Sequence, residues 1–245
     1  MSERNLIVNA DDFGRSAGFN AGVIDCHRRG IVTSATLMVR WPNAVEAGAY
    51  AAAHSADFSV GLHFDLGEWQ YVDDEWRELY SVVASDDAGA VAAELDRQLA
   101  LFAQLVGRAP THLDSHQHVH REPLVGRVLA TAGERLGVPV RDQSATVTYS
   151  GLFYGQDGKG EHYGQFISVE ALIGILASLP AGTTELGCHP ALVDDVPGAY
   201  RAERLVEAQV LCDPRVRAAV ERERVNLVSF PAGPASSETQ KRVST

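Results

Sequence analysis

The sequence predicts a single α/β domain folded as an irregular, TIM-like (β/α) barrel of about seven parallel strands. Three observations predict it. Short apolar, β-branched runs alternate with helical patterns along the 245 residues, and such alternation implies parallel strands joined by right-handed crossovers. Ionisable residues recur at the C-terminal ends of five of those strands, the end at which barrels of this kind build their sites. Neither an internal repeat nor a linker divides the chain, so residues 1–232 read as one domain and 233–245, "GPASSETQKRVST", as a disordered tail. A doubly wound open sheet is the alternative architecture.

The elements follow in order. "NLIVN" (5–9) is an apolar run that ends at Asp11 and Asp12. Ser16 is placed to cap "AGFNAGVIDCHRRG", which stops at Gly30. "TSATLMV" (33–39) and "FSVGLHF" (58–64) supply the next strands. "VAAELDRQLALFAQLVG" sets Val91, Leu95, Leu99, Phe102 and Val106 on one stripe, the spacing of an amphipathic helix. After it come the strand "THLDS" (111–115), the helix "EPLVGRVLATAGERLG", the strand "VPVR" (138–141), the helix "SVEALIGILASL", the strand "TELGC" (184–188), the helix "RAERLVEAQVL" and the strand "VNLVSF" (225–230). Two long segments fall outside this alternation and read as loops: 67–90, with Trp69, Tyr71, Trp76 and Tyr80, and the Gly- and Tyr-rich 143–167. Loops of that length in a compact domain commonly border a binding site.

A formal net charge of −11 without a basic block argues against nucleic acid or an anionic membrane as the main partner. No signal peptide or membrane span is visible. Cys26, Cys188 and Cys212 form no CxxC pair, and reduced thiols in a cytoplasmic protein fit them better than a disulfide framework. Cys188 is either a nucleophile or, the commoner use, a small buried thiol.

The densest chemistry lies in "THLDSHQHVH" (111–120), where His112, Asp114, His116, His118 and His120 occupy every second position. On a strand all five would share one face, although strands usually run about five or six residues, so some must lie beyond its end. A solvated edge strand or His-rich turn competes with a metal or acid–base site. The other strand ends bear on the choice: Asp11 and Asp12 after the first strand, His63 and Asp65 at the third, Arg141 after "VPVR", His189 after "ELGC". Each alone has an ordinary explanation, such as an acidic turn, a core histidine or a salt bridge. Together, two carboxylates and three histidines at one barrel mouth favour a metal site. Two imidazoles and one carboxylate make a ligand set that leaves positions open for water and substrate.

The blocks "IVNADDFG", "GIVTSATLMV", "VGLHFDL", "PTHLDSHQHVH" and "ELGCHPA" resemble the signature blocks of the YdjC-like carbohydrate deacetylases, in the family's order and across residues 5 to about 192. The resemblance implies an irregular (β/α) barrel, one divalent metal ion usually given as Mg2+, and hydrolysis of N-acetyl groups on sugars; Zn2+ or another transition metal is the alternative ion. Matched position by position, it implies Asp12, His63 and His116 as the metal ligands and Asp11 as the general base, and His189 matches the histidine of the late "CHP" block. In this reading His116 is the ligand within "THLDSHQHVH". Asp114 on the same face is placed to orient a neighbouring imidazole, and His112 lies deeper as a buried, hydrogen-bonded residue. His189 is positioned to protonate the leaving amine. Arg141 either holds Asp11 ionised or makes an unrelated salt bridge. The expected partner is a small acetylated saccharide, with a homodimer as the assembly allowed for. Phosphoester hydrolysis and non-catalytic sugar binding are the rival functions. The first is disfavoured by the lack of a phosphate cradle, and the second leaves the acid, base and ligand set unexplained.

Overall fold

A computed structural model describes residues 3–231, apart from 194 and 197. The tail expected over 233–245 lies outside the described residues. In chain order the elements are β1 (Arg4–Phe13), α1 (Ala17–Arg29), β2 (Ser34–Leu37), α2 (Ala44–Ala53), β3 (Ser59–Phe64), β4 (Gly67–Val72), β5 (Glu75–Ser81), α3 (Ala88–Val106), β6 (Leu113–Ser115), a 3-10 turn (His116–Arg121), α4 (Pro123–Leu136), β7 (Val147–Ser150), a second 3-10 turn (Gly164–Ile167), α5 (Val169–Ser178), β8 (Gly182–Cys188), α6 (Ala202–Leu211), α7 (Pro214–Arg222) and β9 (Asn226–Leu227).

Seven strands form one parallel sheet in the order β6-β3-β2-β1-β8-β7, with β9 beside the start of β1. It curls into a half-barrel flanked by helices, as the alternation predicts. The central strand β1 pairs with β8 from Arg4↔Gly182 to Ala10↔Cys188, and with β2 only from Asn9 onward. Below β2 the chain end fills the gap: Thr33 Oγ1 donates to Val228 O at 2.6 Å, and Phe230 N donates to Ser59 Oγ at 3.1 Å.

The predicted elements hold with three corrections of membership. "VPVR" is not a full strand. Pro139 has no N–H to give, the segment's bridge is the isolated one from Val140 to Leu113, and Asp142 at φ 64° turns the chain away. The segment 143–167 is not all loop, because β7 comes from it and completes the sheet beside β8. Likewise 67–90 is mostly an antiparallel hairpin, β4–β5, followed by the start of α3. Its two-residue turn is Asp73-Asp74, both at positive φ (54° and 63°), the twist that a tight hairpin needs.

Local sequence accounts for the helices that position the site. Ser16 caps α1 by accepting from Phe19 N, and Gly30 N returns to Cys26 O. On α3, Val91, Leu95, Phe102 and Val106 are buried with Glu94 and Gln98 beside them. Helix α6 inverts the usual pattern: Glu203, Arg204 and Glu207 face inward while Val206 is 40% exposed. The fold brings the Cys26 and Cys212 sulfurs to 3.7 Å, well beyond a bond, and all three cysteines are free. Cys188 is a buried thiol that donates to Asn9 O, and burial pushes it well above its ordinary pKa, which removes it as a nucleophile. Among the described residues no helix is long and apolar enough to cross a membrane.

Candidate metal centre

Two adjacent carboxylates at the end of β1 meet the mouth because the strand bulges there. Regular alternation would send Asp11 and Asp12 to opposite faces. Instead, the β1–β2 register slips between Ala10 and Phe13, and Asp12 adopts φ 62°. Gly14 follows at φ 93°, packed so closely that a Cβ would sit 2.7 Å from the Leu37 side chain. The "ADDFG" block thus encodes a bulge followed by a turn that only glycine fits.

Asp12 Oδ1 lies 3.0 Å from His116 Nδ1 and 3.3 Å from His63 Nε2, and all three side chains are buried. One ligand atom from each falls within 4.8 Å of the other two. Behind His63, its Nδ1 meets Asp114 Oδ1 at 2.7 Å, which leaves Nε2 for the centre. Arg204 Nη2 donates to Asp12 Oδ2 at 2.6 Å. The buried Oδ1 accepts no hydrogen bond of its own. Burial works against charged imidazoles, yet Asp114 beside His63 and Asp12 beside His116 hold both above the ordinary histidine value. The two imidazoles and the unpartnered, buried Asp12 Oδ1 form a donor set that fits a divalent cation.

Asp11 sits next to this set. Arg141 Nη1 donates to its Oδ2 at 2.7 Å and Nη2 to its Oδ1 at 2.8 Å. Arg141 is fully buried and also reaches Asp114 at 2.8 Å and Glu185 at 2.6 Å. Of the two readings of Arg141, the structure therefore takes the one that joins it to Asp11. Burial works to raise the Asp11 carboxyl, but Arg141 outweighs it and holds the group well below the usual range. His189 Nε2 lies 3.7 Å from Asp11 Oδ2. Burial pulls His189 down to about 4, so its resting ring is neutral at pH 7. Its backbone N–H donates to Glu207, and its ring lies edge-on to Tyr154 and Tyr200.

The five-fold register of 111–120 ends at His116. Strand β6 is three residues long, and Gln117 and His118, both at positive φ, turn the chain into the 3-10 segment. His112 is the core residue expected. It stacks on Phe230 at 3.8 Å, its Nε2 lies 3.0 Å from Asn9 Oδ1, and burial pulls it down to about 3. His120 Nδ1 meets Ser115 Oγ, while His118 borders the cleft beside Tyr149.

The cleft has a volume of about 820 Å³ and is lined by Asp11, Asp12, His63, His116 and His189. Both long segments border it, as the unplaced aromatics suggested. Trp69, Tyr71 and Trp76 come from the hairpin, and Tyr149, Tyr154 and Lys159 from 143–167. Sequence reasoning missed Arg204, Glu207, Glu185 and Glu68. The first two lie on α6, where the periodicity argument assigns charges to solvent; an Arg–x–x–Glu pair among so few apolar anchors was the only signal.

Residues 5–222 match the model of the YdjC-like protein family. A chitooligosaccharide deacetylase of Salmonella paratyphi B is 34% identical over 241 residues, covering 89% of this chain and 94% of its own. A protein of Enterococcus faecalis V583 assigned to cellobiose-phosphate cleavage superposes with a TM-score of 0.76 at 25% identity, covering 94% of this chain and 98% of that one. A family 4 carbohydrate esterase of Streptomyces lividans, in complex with acetate, shares the fold at a TM-score of 0.53 and 12% identity, over 94% of this chain and 95% of its own.

Proposed function

The chain belongs to the YdjC-like family, and from that premise we propose that it is a divalent-metal-dependent hydrolase that removes acetyl groups from N-acetylated sugars, with chito-oligosaccharides as the substrate class. The observation that carries the reading is the meeting, in one cleft, of a three-ligand cation set with an arginine-clamped Asp11 and a neighbouring His189. Mg2+ is the ion that the family resemblance supports, whereas the two imidazoles of the Asp-His-His set favour Zn2+ or Co2+.

When bound, the cation supplies Lewis acidity, drawing electron density from the acetamide carbonyl and making water more acidic. Asp12, His63 and His116 hold it, with Arg204 restricting Asp12 to a single free oxygen. Asp11, oriented by Arg141, takes the proton from the attacking water. An amine leaves only if it is protonated, and His189, whose Nε2 lies 3.7 Å from Asp11 Oδ2 at the cleft, is the group placed to deliver that proton. The aromatic walls offer faces for pyranose rings, and the three free cysteines favour a reducing compartment, the cytoplasm.

The test is release of free acetate from N-acetylglucosamine and its β-linked oligomers, with Mg2+, Zn2+ or Co2+ added to metal-stripped protein. Sugar phosphates are run in parallel. Metal-dependent acetate release supports the reading. Phosphate release without acetate replaces it with phosphoester hydrolysis, and sugar binding without either product makes the protein a carbohydrate-binding module.

A further inference from the structure

His63 and His116 face Asp12 alike but differ behind. The rear nitrogen of His63 has a partner from the core strand β6, Asp114. The rear nitrogen of His116, Nε2, faces two groups that are paired with each other: Arg15 Nη1 at 3.4 Å and Glu68 Oε2 at 3.8 Å. An imidazole that presents Nδ1 to a cation keeps its hydrogen on Nε2. That hydrogen cannot be received by Arg15, which has only donors. Glu68 Oε2 is the carboxylate oxygen that faces this nitrogen, 3.8 Å away and so just beyond hydrogen-bond distance, and Glu68 is 6% exposed.

We propose that Glu68 is a positioning residue for the cation centre: with a cation on Nδ1 of His116, the Glu68 carboxylate closes the 3.8 Å gap to accept the Nε2–H and draws its partner Arg15 aside. The proposal rests on the reading of Asp12, His63 and His116 as cation ligands. A second contact ties the same two segments together. Gln117, next to His116 and at φ 48°, accepts from Trp69 N at 2.9 Å and donates to Trp69 O at 2.7 Å. Glu68 and Trp69 open the hairpin whose aromatics wall the cleft. One ligand is thus oriented by the rigid sheet and the other by the base of the hairpin, at Glu68 and Trp69.

The test is Co2+ titration of metal-stripped protein by visible absorption and calorimetry, in wild type, Glu68→Gln and Trp76→Ala. Loss of a carboxylate behind a ligating histidine costs about 10–100-fold in metal affinity. Glu68→Gln should lose at least about tenfold, whereas Trp76→Ala, at the far end of the same hairpin, should bind Co2+ as wild type does. In zinc-loaded wild type, long-range 1H–15N spectra should find His116 with its hydrogen on Nε2 and its lone pair at Nδ1. That measurement decides the matter even if Glu68→Gln fails to fold. Co2+ affinity of Glu68→Gln within about twofold of wild type, or ligation of His116 through Nε2, overturns the proposal. Wild type that binds no Co2+ overturns the ligand reading beneath it.

Discussion

Asp11 and Asp12 carry the same side chain one residue apart, and the bulge between them separates their work. Asp12 stands at φ 62°, a region that asparagine tolerates almost as well as aspartate, so Asp12→Asn should fold. It removes the anionic ligand, so cation affinity should fall and excess metal should restore part of the rate. Asp11→Asn keeps the size and accepts from Arg141 but loses basicity, so metal should stay while turnover falls by roughly 10²–10⁴-fold. Metal content measured beside acetate release in the two variants checks the assignment, and loss of metal from Asp11→Asn with retention in Asp12→Asn would exchange the roles. Glu207 gives a different handle. Burial pushes its carboxyl up to about 8, from an ordinary 4.5. The folded protein keeps a proton that the unfolded chain surrenders near 4.5, so the stability Glu207 lends is full below that pH and is lost as pH rises towards 8. Glu207→Gln cannot ionise and should gain on wild type, by the order of a few kcal/mol, between pH 5 and pH 8.5. Glu185, raised to about 7 by burial, has the same sign and keeps some slope in both proteins. Thermal melts of the metal-free pair across that range are the measurement, and parallel curves would refute it.

The elements divide into those that the chain announced and those that it concealed. Strand β1, strand β3 and helix α1 were legible because apolar runs, a Ser cap and a terminal glycine all act locally. The hairpin β4–β5 was concealed by its turn, since Asp73-Asp74 is a poorer hairpin signal than Asn-Gly although it reaches the same angles. Helix α6 was found, but its orientation was not: hydrophobic periodicity expects Val206 inside and Glu203 outside, and charge pairing across the site reverses them. Arg204 and Glu207 therefore could not be read from the pattern that located their helix. The cluster of Asp11, Asp12, His63 and His116 could, because each stands at or just past a strand end. The hairpin also makes a kinetic prediction. Trp76 lines the cleft yet is 59% exposed, near the hairpin's turn. Trp76→Ala should raise KM five- to tenfold, about 1 kcal/mol of lost stacking, while kcat changes little. An equal fall in kcat at unchanged KM would place the ring at the chemistry instead.

At the scale of the whole molecule, the proposed ligands come from β1, β3 and the turn after β6, so a cation held by them would clamp half the sheet. A ligand that binds only the folded state stabilises it by about 2.7 kcal/mol at a hundred times its Kd. For a domain of this size that is roughly 5–10 °C in melting temperature. Divalent metal should raise the wild-type midpoint by that amount and leave His63→Ala unmoved; equal shifts in both would mean binding elsewhere.

The position of β1 has a consequence for synthesis on the ribosome. Its partner β2 follows within about thirty residues, but the strand along its other edge, β8, begins only at Gly182. At roughly 5–20 residues per second, β1 waits on the order of ten seconds or more for that neighbour. During the wait its apolar edge is open to pairing with any other chain. The strand that later carries both aspartates is, in the nascent protein, the surface most in need of a chaperone.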